Sequence, residues 1–217
     1  MESVRKTGDL LGLSYIYGGL SNLDGQDPLD YETMMANPSL FEIVATNADT
    51  GEAVYFSKND FKVNDYRVLA ASSAIPVLAK PIFIDGKPCF DGGLADSIPV
   101  QRAIDLGYER IVVILSKPLN YVRSAQKGMA IVRYKLKEYP KIIEAIKNRH
   151  INYNNEFKKI LDLENQGKIF IFAADESILN LSPKVDPKEV KALYDQGLAD
   201  FYKRKKDLEE FLNRSKQ

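Results

Sequence analysis

At 217 residues, 45% hydrophobic and 28% charged, the chain suits one globular domain or a large part of one, and its apolar content excludes wholesale disorder. Thirty basic and thirty acidic residues cancel, so no basic footprint marks a nucleic-acid partner. Cys89 is the single cysteine, which excludes an internal disulfide and any cysteine-based metal cluster; no cofactor or metal motif appears. Charge is unevenly spread: ten acids and three bases occupy residues 1–60, whereas residues 123–150 hold eight bases against Glu138 and Glu144.

Met1 to Asp9 contains no apolar run of signal-peptide type, and the longest apolar run, Ile111 to Leu115, is far too short to span a bilayer. The chain therefore reads as soluble and cytoplasmic. Phe41 to Thr46 is β-rich and leads through Asp49-Thr50-Gly51-Glu52 to Ala53–Phe56, which predicts a hairpin. A helix is expected from about Asp65 to Ala74, with Val68, Leu69 and Ser72 inward and Pro76 beyond its end. Ile82–Ile84, the Asp85-Gly86 turn and Lys87–Phe90 form a second hairpin-like unit.

Phe90 then closes a strand and Asp91-Gly92-Gly93 turns. Asp96 or Ser97 is expected to cap a helix with Pro99 in its first turn, Val100, Ala103, Ile104 and Leu106 on its apolar side, and Gly107 at its end. Arg110 to Leu115 is apolar throughout after its first residue, the pattern of a strand buried on both faces. Strand, turn, helix and buried strand predict a right-handed βαβ unit in a parallel sheet. Helical pattern resumes from Ala125 to about Leu163, broken at Pro140, with Ile143, Ile146, His150, Tyr153, Phe157 and Ile160 along one seam. Lys168–Phe172 is a further strand. Asp186-Pro187-Lys188-Glu189 is a capping box that opens a long terminal helix, whose inner face is expected to hold Leu193, Tyr194, Leu198, Phe201, Leu208 and Phe211.

An Asp-Gly-Gly turn at a strand's C-terminal end, just before a helix, is where open α/β sheets place functional groups. Glycines there permit positive φ and leave the carboxylate beside bare backbone; equally, Asp-Gly is a common turn pair that needs no function. The surroundings add information. Ala71-Ser72-Ser73-Ala74-Ile75-Pro76, followed by Phe90-Asp91-Gly92-Gly93-Leu94-Ala95-Asp96-Ser97-Ile98-Pro99-Val100 and the Gly107–Ile114 strand, resembles the patatin-like phospholipase family in order and spacing. More loosely, the resemblance runs from about Gly8 to the terminal helix. It implies a three-layer α/β sandwich with a mainly parallel sheet, a single domain over 1–217, and helical portions at about 125–165 and 186–214. It also implies a lipid acyl hydrolase with a serine–aspartate dyad: a serine on a Gly-x-Ser-x-Gly elbow attacks the ester, Asp91 is the general base, and a Gly-rich loop binds the oxyanion.

The sequence departs from that pattern in two respects. It contains no Gly-x-Ser-x-Gly, since Gly12-Leu13-Ser14-Tyr15-Ile16 lacks the last glycine and Ser72 and Ser73 belong to a helix end whose small residues serve packing, and no Gly-rich oxyanion loop, since Gly18-Gly19 stands alone. No nucleophile is therefore assigned. The expectation is that an N-terminal segment with the first strand or strands, oxyanion loop and elbow serine lies outside these residues, that the chain alone is inactive, and that exposed apolar surface promotes self-association. A non-catalytic pseudo-hydrolase, acting as an interaction or lipid-binding module, is the alternative. His150, on an apolar helix seam, is expected to be a packed, hydrogen-bonded residue rather than a triad member. The basic stretch Arg123–Arg149 reads as a solvated helix face, with peripheral contact to anionic lipid as its alternative.

Overall fold

The computed structural model describes residues 10–175 and 187–214. In chain order its first labelled elements are α1 (Tyr31–Ala36), β1 (Glu42–Asn47), β2 (Ala53–Ser57), α2 (Arg67–Ser72), β3 (Ile82–Ile84) and β4 (Lys87–Asp91). They are followed by α3 (Val100–Asp105), β5 (Ile111–Leu115), α4 (Met129–Lys135), α5 (Pro140–Asn165), β6 (Ile169–Ala173) and α6 (Pro187–Asn213). The chain divides into two compact units, Met1–Ile98 with Ser124–Tyr153, and Pro99–Arg123 with Asn154–Gln217.

The first unit is built on an antiparallel sheet of order β2-β1-β4-β3. Both expected hairpins are present. β1 and β2 pair with Ile43 opposite Phe56 and Ala45 opposite Val54. Asn47 shapes the connecting turn by accepting the Asp49 and Thr50 N–H groups on its side-chain oxygen. β3 and β4 are joined through Asp85 and Gly86, both at positive φ, the backbone that a two-residue hairpin turn requires. α2 is shorter than expected, ending at Ser72, four residues before Pro76. It buries Val68, Ala70 and Ala71, whereas Leu69 and Ser72 are only half-buried. Two alanines on its inner side let the helix approach the sheet closely, where Phe90 and Cys89 are almost fully enclosed. Phe90 meets the Tyr139 ring edge-on at 5.6 Å, and Ile142 and Ile146 of α5 complete that cluster.

The second unit contains the parallel pair β5–β6, with Ile111 opposite Ile169 and Leu115 opposite Ala173. The chain is thus mixed α/β, and among the described strands only β5 and β6 pair in parallel, apart from an isolated parallel bridge between Pro76 and Ala79. The expected βαβ unit is corrected accordingly: β4 belongs to the antiparallel sheet, and β5 finds its parallel neighbour in β6. β5 is also not buried on both faces. Val113 and Leu115 are enclosed, but Ile114 is 81% exposed and Val112 38%. The apolar side of α3 follows suit: Val100 is buried, while Ile104 and Leu106 are exposed.

α4 and α5 fall on either side of the break at Pro140, which becomes the first residue of α5 because a proline there loses no helical hydrogen bond. Ile142, Ile146, Tyr153, Phe157 and Ile160 are buried along the expected seam, which starts one position before Ile143. α6 begins at Pro187 as expected; Asp186 of the capping box lies outside the described residues. Its inner face is much narrower than the sequence pattern suggests. Phe211 is buried against Phe170, with ring centroids 5.8 Å apart, but Tyr194, Leu198 and Phe201 are exposed. Arg204 pins the helix instead. Its guanidinium lies 4.2 Å from the Phe170 ring centre and donates to the Ile171 carbonyl. No helix among the described residues is long and apolar enough to cross a membrane.

Candidate functional site

Asp91 is the last residue of β4, and its backbone is held from two sides. Its N–H donates to the Ala74 carbonyl at 3.0 Å, and its own carbonyl accepts the Thr46 hydroxyl at 2.8 Å. Thr46 is fully buried on β1, so this hydroxyl bond satisfies a polar group that would otherwise be stranded. The Ala74 bond ties the Ala-Ser-Ser-Ala-Ile-Pro helix end to the Asp-Gly-Gly turn, across the β3–β4 hairpin. Cys89 sits two residues earlier on β4, and burial pushes its thiol above the ordinary value.

After Asp91 the chain enters one 3-10 turn, Gly92–Leu94, capped by Asp91 itself: Oδ1 accepts the Gly93 N–H at 2.7 Å. Among the described residues Oδ2 takes no hydrogen bond, and the side chain is half-exposed. The glycines serve sterics rather than positive φ, which neither adopts. A β-carbon on Gly92 would stand 2.2 Å from the Val44 carbonyl oxygen. On Gly93 it would meet Arg149 Nη2 and Asp91 Oδ1, each at 3.0 Å.

The Gly93 carbonyl accepts two donors, Ser97 Oγ at 2.8 Å and Arg149 Nε at 2.7 Å. Asp96 accepts the Tyr55 hydroxyl. Neither Ser97 nor Asp96 caps α3, whose N-cap is Pro99 with no side-chain bond; both side chains fold back onto the first unit. Their capping role is therefore corrected, because the turn and the β2 hydroxyl offer them nearer partners.

Residues 24–104 match the family model of patatin-like phospholipases. That segment holds all of β1 to β4 and the Asp91-Gly92-Gly93 turn. Residues 139–213 match a second model, a domain of unknown function (DUF6363), which covers α5, β6 and α6. The uncharacterized protein YjjU of Escherichia coli (strain K12) is 32% identical over 118 residues, spanning 49% of this chain and 32% of that protein. The chain thus matches about a third of that relative's length.

Of the serines considered from sequence, Ser72 and Ser73 belong to the helix end whose Ala74 carbonyl accepts the Asp91 N–H. Ser14 is exposed in the short helical segment Leu13–Tyr15, and Gly18-Gly19 falls in the π-turn Ile16–Leu20. Ser73 is bonded to the Tyr17 hydroxyl at 3.1 Å. His150 is packed and half-buried, but its Nδ1 has no hydrogen-bond partner among the described residues, which corrects the expectation of a hydrogen-bonded imidazole at that atom. The basic stretch Arg123–Arg149 is not one helix face: Arg123 lies in a loop bonded through its backbone to Asn154, Lys141 pairs with Glu144, and Arg149 turns to Gly93. Thr46 and Arg149 are the site neighbours that sequence pattern missed. Thr46 reads as an ordinary strand residue, and Arg149 as one charge in a run. Among the described residues no cluster of His, Cys, Asp or Glu could hold a metal ion.

Proposed function

We propose that this chain carries the aspartate half of a serine–aspartate lipid acyl hydrolase. The observation behind the reading is the Asp91 carboxylate, fixed through Oδ1 by the Gly93 N–H while Oδ2 remains without a hydrogen bond among the described residues. An oxygen so placed can accept the proton of a serine hydroxyl as the serine oxygen attacks an acyl carbonyl; the proton passes to the departing alcohol, and water then hydrolyses the acyl-serine. The serine and its oxyanion donors come, on this reading, from a segment beyond these 217 residues that completes a three-layer patatin-like sandwich. The substrate is an acyl ester of lipid type, and the lysines of the 123–149 stretch face solvent or an anionic lipid surface.

Two measurements test the proposal. Residues 1–217 alone should not turn over a p-nitrophenyl ester, and robust Asp91-dependent hydrolysis by them would sink the divided dyad. Reading the DNA upstream of the Met1 codon should reveal an in-frame Gly-rich loop and Gly-x-Ser-x-Gly. The longer product should hydrolyse the ester and lose this activity in Asp91→Ala; hydrolysis that survives this substitution rules out Asp91 as base. The absence of Gly-x-Ser-x-Gly from the sequence favours a second reading, a pseudo-hydrolase, which a stop codon close upstream would support.

A further inference from the structure

We propose that Arg149 is a positioning residue for Asp91, and that the segment of unknown function supplies it. The inference rests on the reading of Asp91 as the general base. Gly93 lies within the patatin-like match and Arg149 within the second family match, so the Arg149 Nε–H to Gly93 carbonyl bond joins the two segments. Both residues belong to the same compact unit.

The geometry makes this bond more than a surface contact. At 2.7 Å it is charge-assisted and short. Its acceptor is the carbonyl of the residue whose N–H holds Asp91 Oδ1, so the two ends of one residue are clamped, one by the guanidinium and one by the carboxylate. Arg149 Nη2 and Asp91 Oδ1 both lie 3.0 Å from the place a Gly93 β-carbon would take. Twice that distance bounds their separation, so the guanidinium and the carboxylate flank the same side of Gly93. A planar fork that bonds a carbonyl through Nε while Nη2 packs against the same turn is a geometry arginine has and lysine lacks. Arg149 thus orients the turn and keeps the carboxylate in one position for proton transfer.

The test is amide hydrogen exchange on the full 217-residue chain, with Arg149→Met and Arg149→Lys compared with Arg133→Met from elsewhere in the basic stretch. The expected result is that exchange at Gly93 accelerates about tenfold or more in both Arg149 variants, as loss of a charge-assisted bond requires, while Phe90 and Cys89 are unchanged and Arg133→Met is silent. No change at Gly93, or equal acceleration across all strands in both variants, overturns the proposal. In the longer product that hydrolyses ester, Arg149→Lys should lower kcat on the order of 10- to 100-fold with KM unchanged; a rise in KM alone overturns it as well. Failure of these outcomes leaves the Asp91→Ala result standing, so the two readings fail separately.

Discussion

Gly92 lies with its α-carbon against the Val44 carbonyl of β1, so closely that a β-carbon would stand 2.2 Å from that oxygen and 2.5 Å from its carbon. The contact sets where β4 ends and where Asp91 is presented, because β1 cannot retreat without breaking its pairing with β2. Gly92→Ala should destabilise the chain by about 1–3 kcal/mol, the usual range for overpacking. A urea midpoint equal to that of the wild type would show that β1 yields more easily than its pairing suggests.

Asp91 has a structural role that can be separated from a chemical one. An asparagine side chain at this position retains an oxygen for the Gly93 N–H, so Asp91→Asn should stay close to wild-type stability. Asp91→Ala should lose about 1 kcal/mol, typical of a removed N-cap. Thermal unfolding of the two variants checks the difference, and equal losses would argue against the cap.

Cys89 is 1% exposed, and burial pushes its thiol above 9.0. The folded chain therefore keeps a proton that the unfolded chain releases at lower pH. The stabilisation this provides is complete below pH 9.0 and is lost as pH rises through the folded value. Urea midpoints should fall with pH above 9 more steeply for wild type than for Cys89→Ala; parallel curves would refute the linkage. A bulky disulfide reagent should label Cys89 only after unfolding.

Arg204 holds α6 by stacking on Phe170 and Phe172 and by its bond to the Ile171 carbonyl. The exposed remainder of the helix contributes little burial. Arg204→Ala should weaken the docking by about 1–2 kcal/mol, read as faster proteolysis within 187–213. Arg204→Lys should rescue poorly, since an ammonium lacks the planar face.

Ile114 and Val112 leave an apolar strip on β5, whose outer edge is unpaired among the described residues. Concentration-dependent self-association is expected by light scattering, and Ile114→Lys should reduce it. A wild-type chain that remains monomeric at high concentration would count against the strip as its cause.

Several features were legible in sequence because they depend on local chemistry. Asp49-Thr50-Gly51-Glu52 marks one hairpin turn, Asp85-Gly86 marks the other, Pro140 marks a helix break and Pro187 a helix start; each residue type is tied to a backbone geometry it favours. The burial of Ile146, Tyr153, Phe157 and Ile160 follows from spacing alone. Misreadings arose where a pattern says that a face is apolar without saying what covers it. Ile111–Leu115 and the apolar face of α6 share the composition of buried elements, yet burial depends on neighbours that no local window contains.

The same division runs through the site. Sequence by itself determined that an aspartate with two glycines follows a strand, because Asp-Gly pairs favour a turn. Tertiary structure decided why: Gly92 is pressed on Val44, Thr46 holds the Asp91 carbonyl, and Arg149, 56 positions from Gly93, reaches that residue's oxygen. These partners meet only when β1 pairs with β4 and α5 packs beside them. A hydrogen bond requires proximity in space, and separation along the chain carries no trace of it.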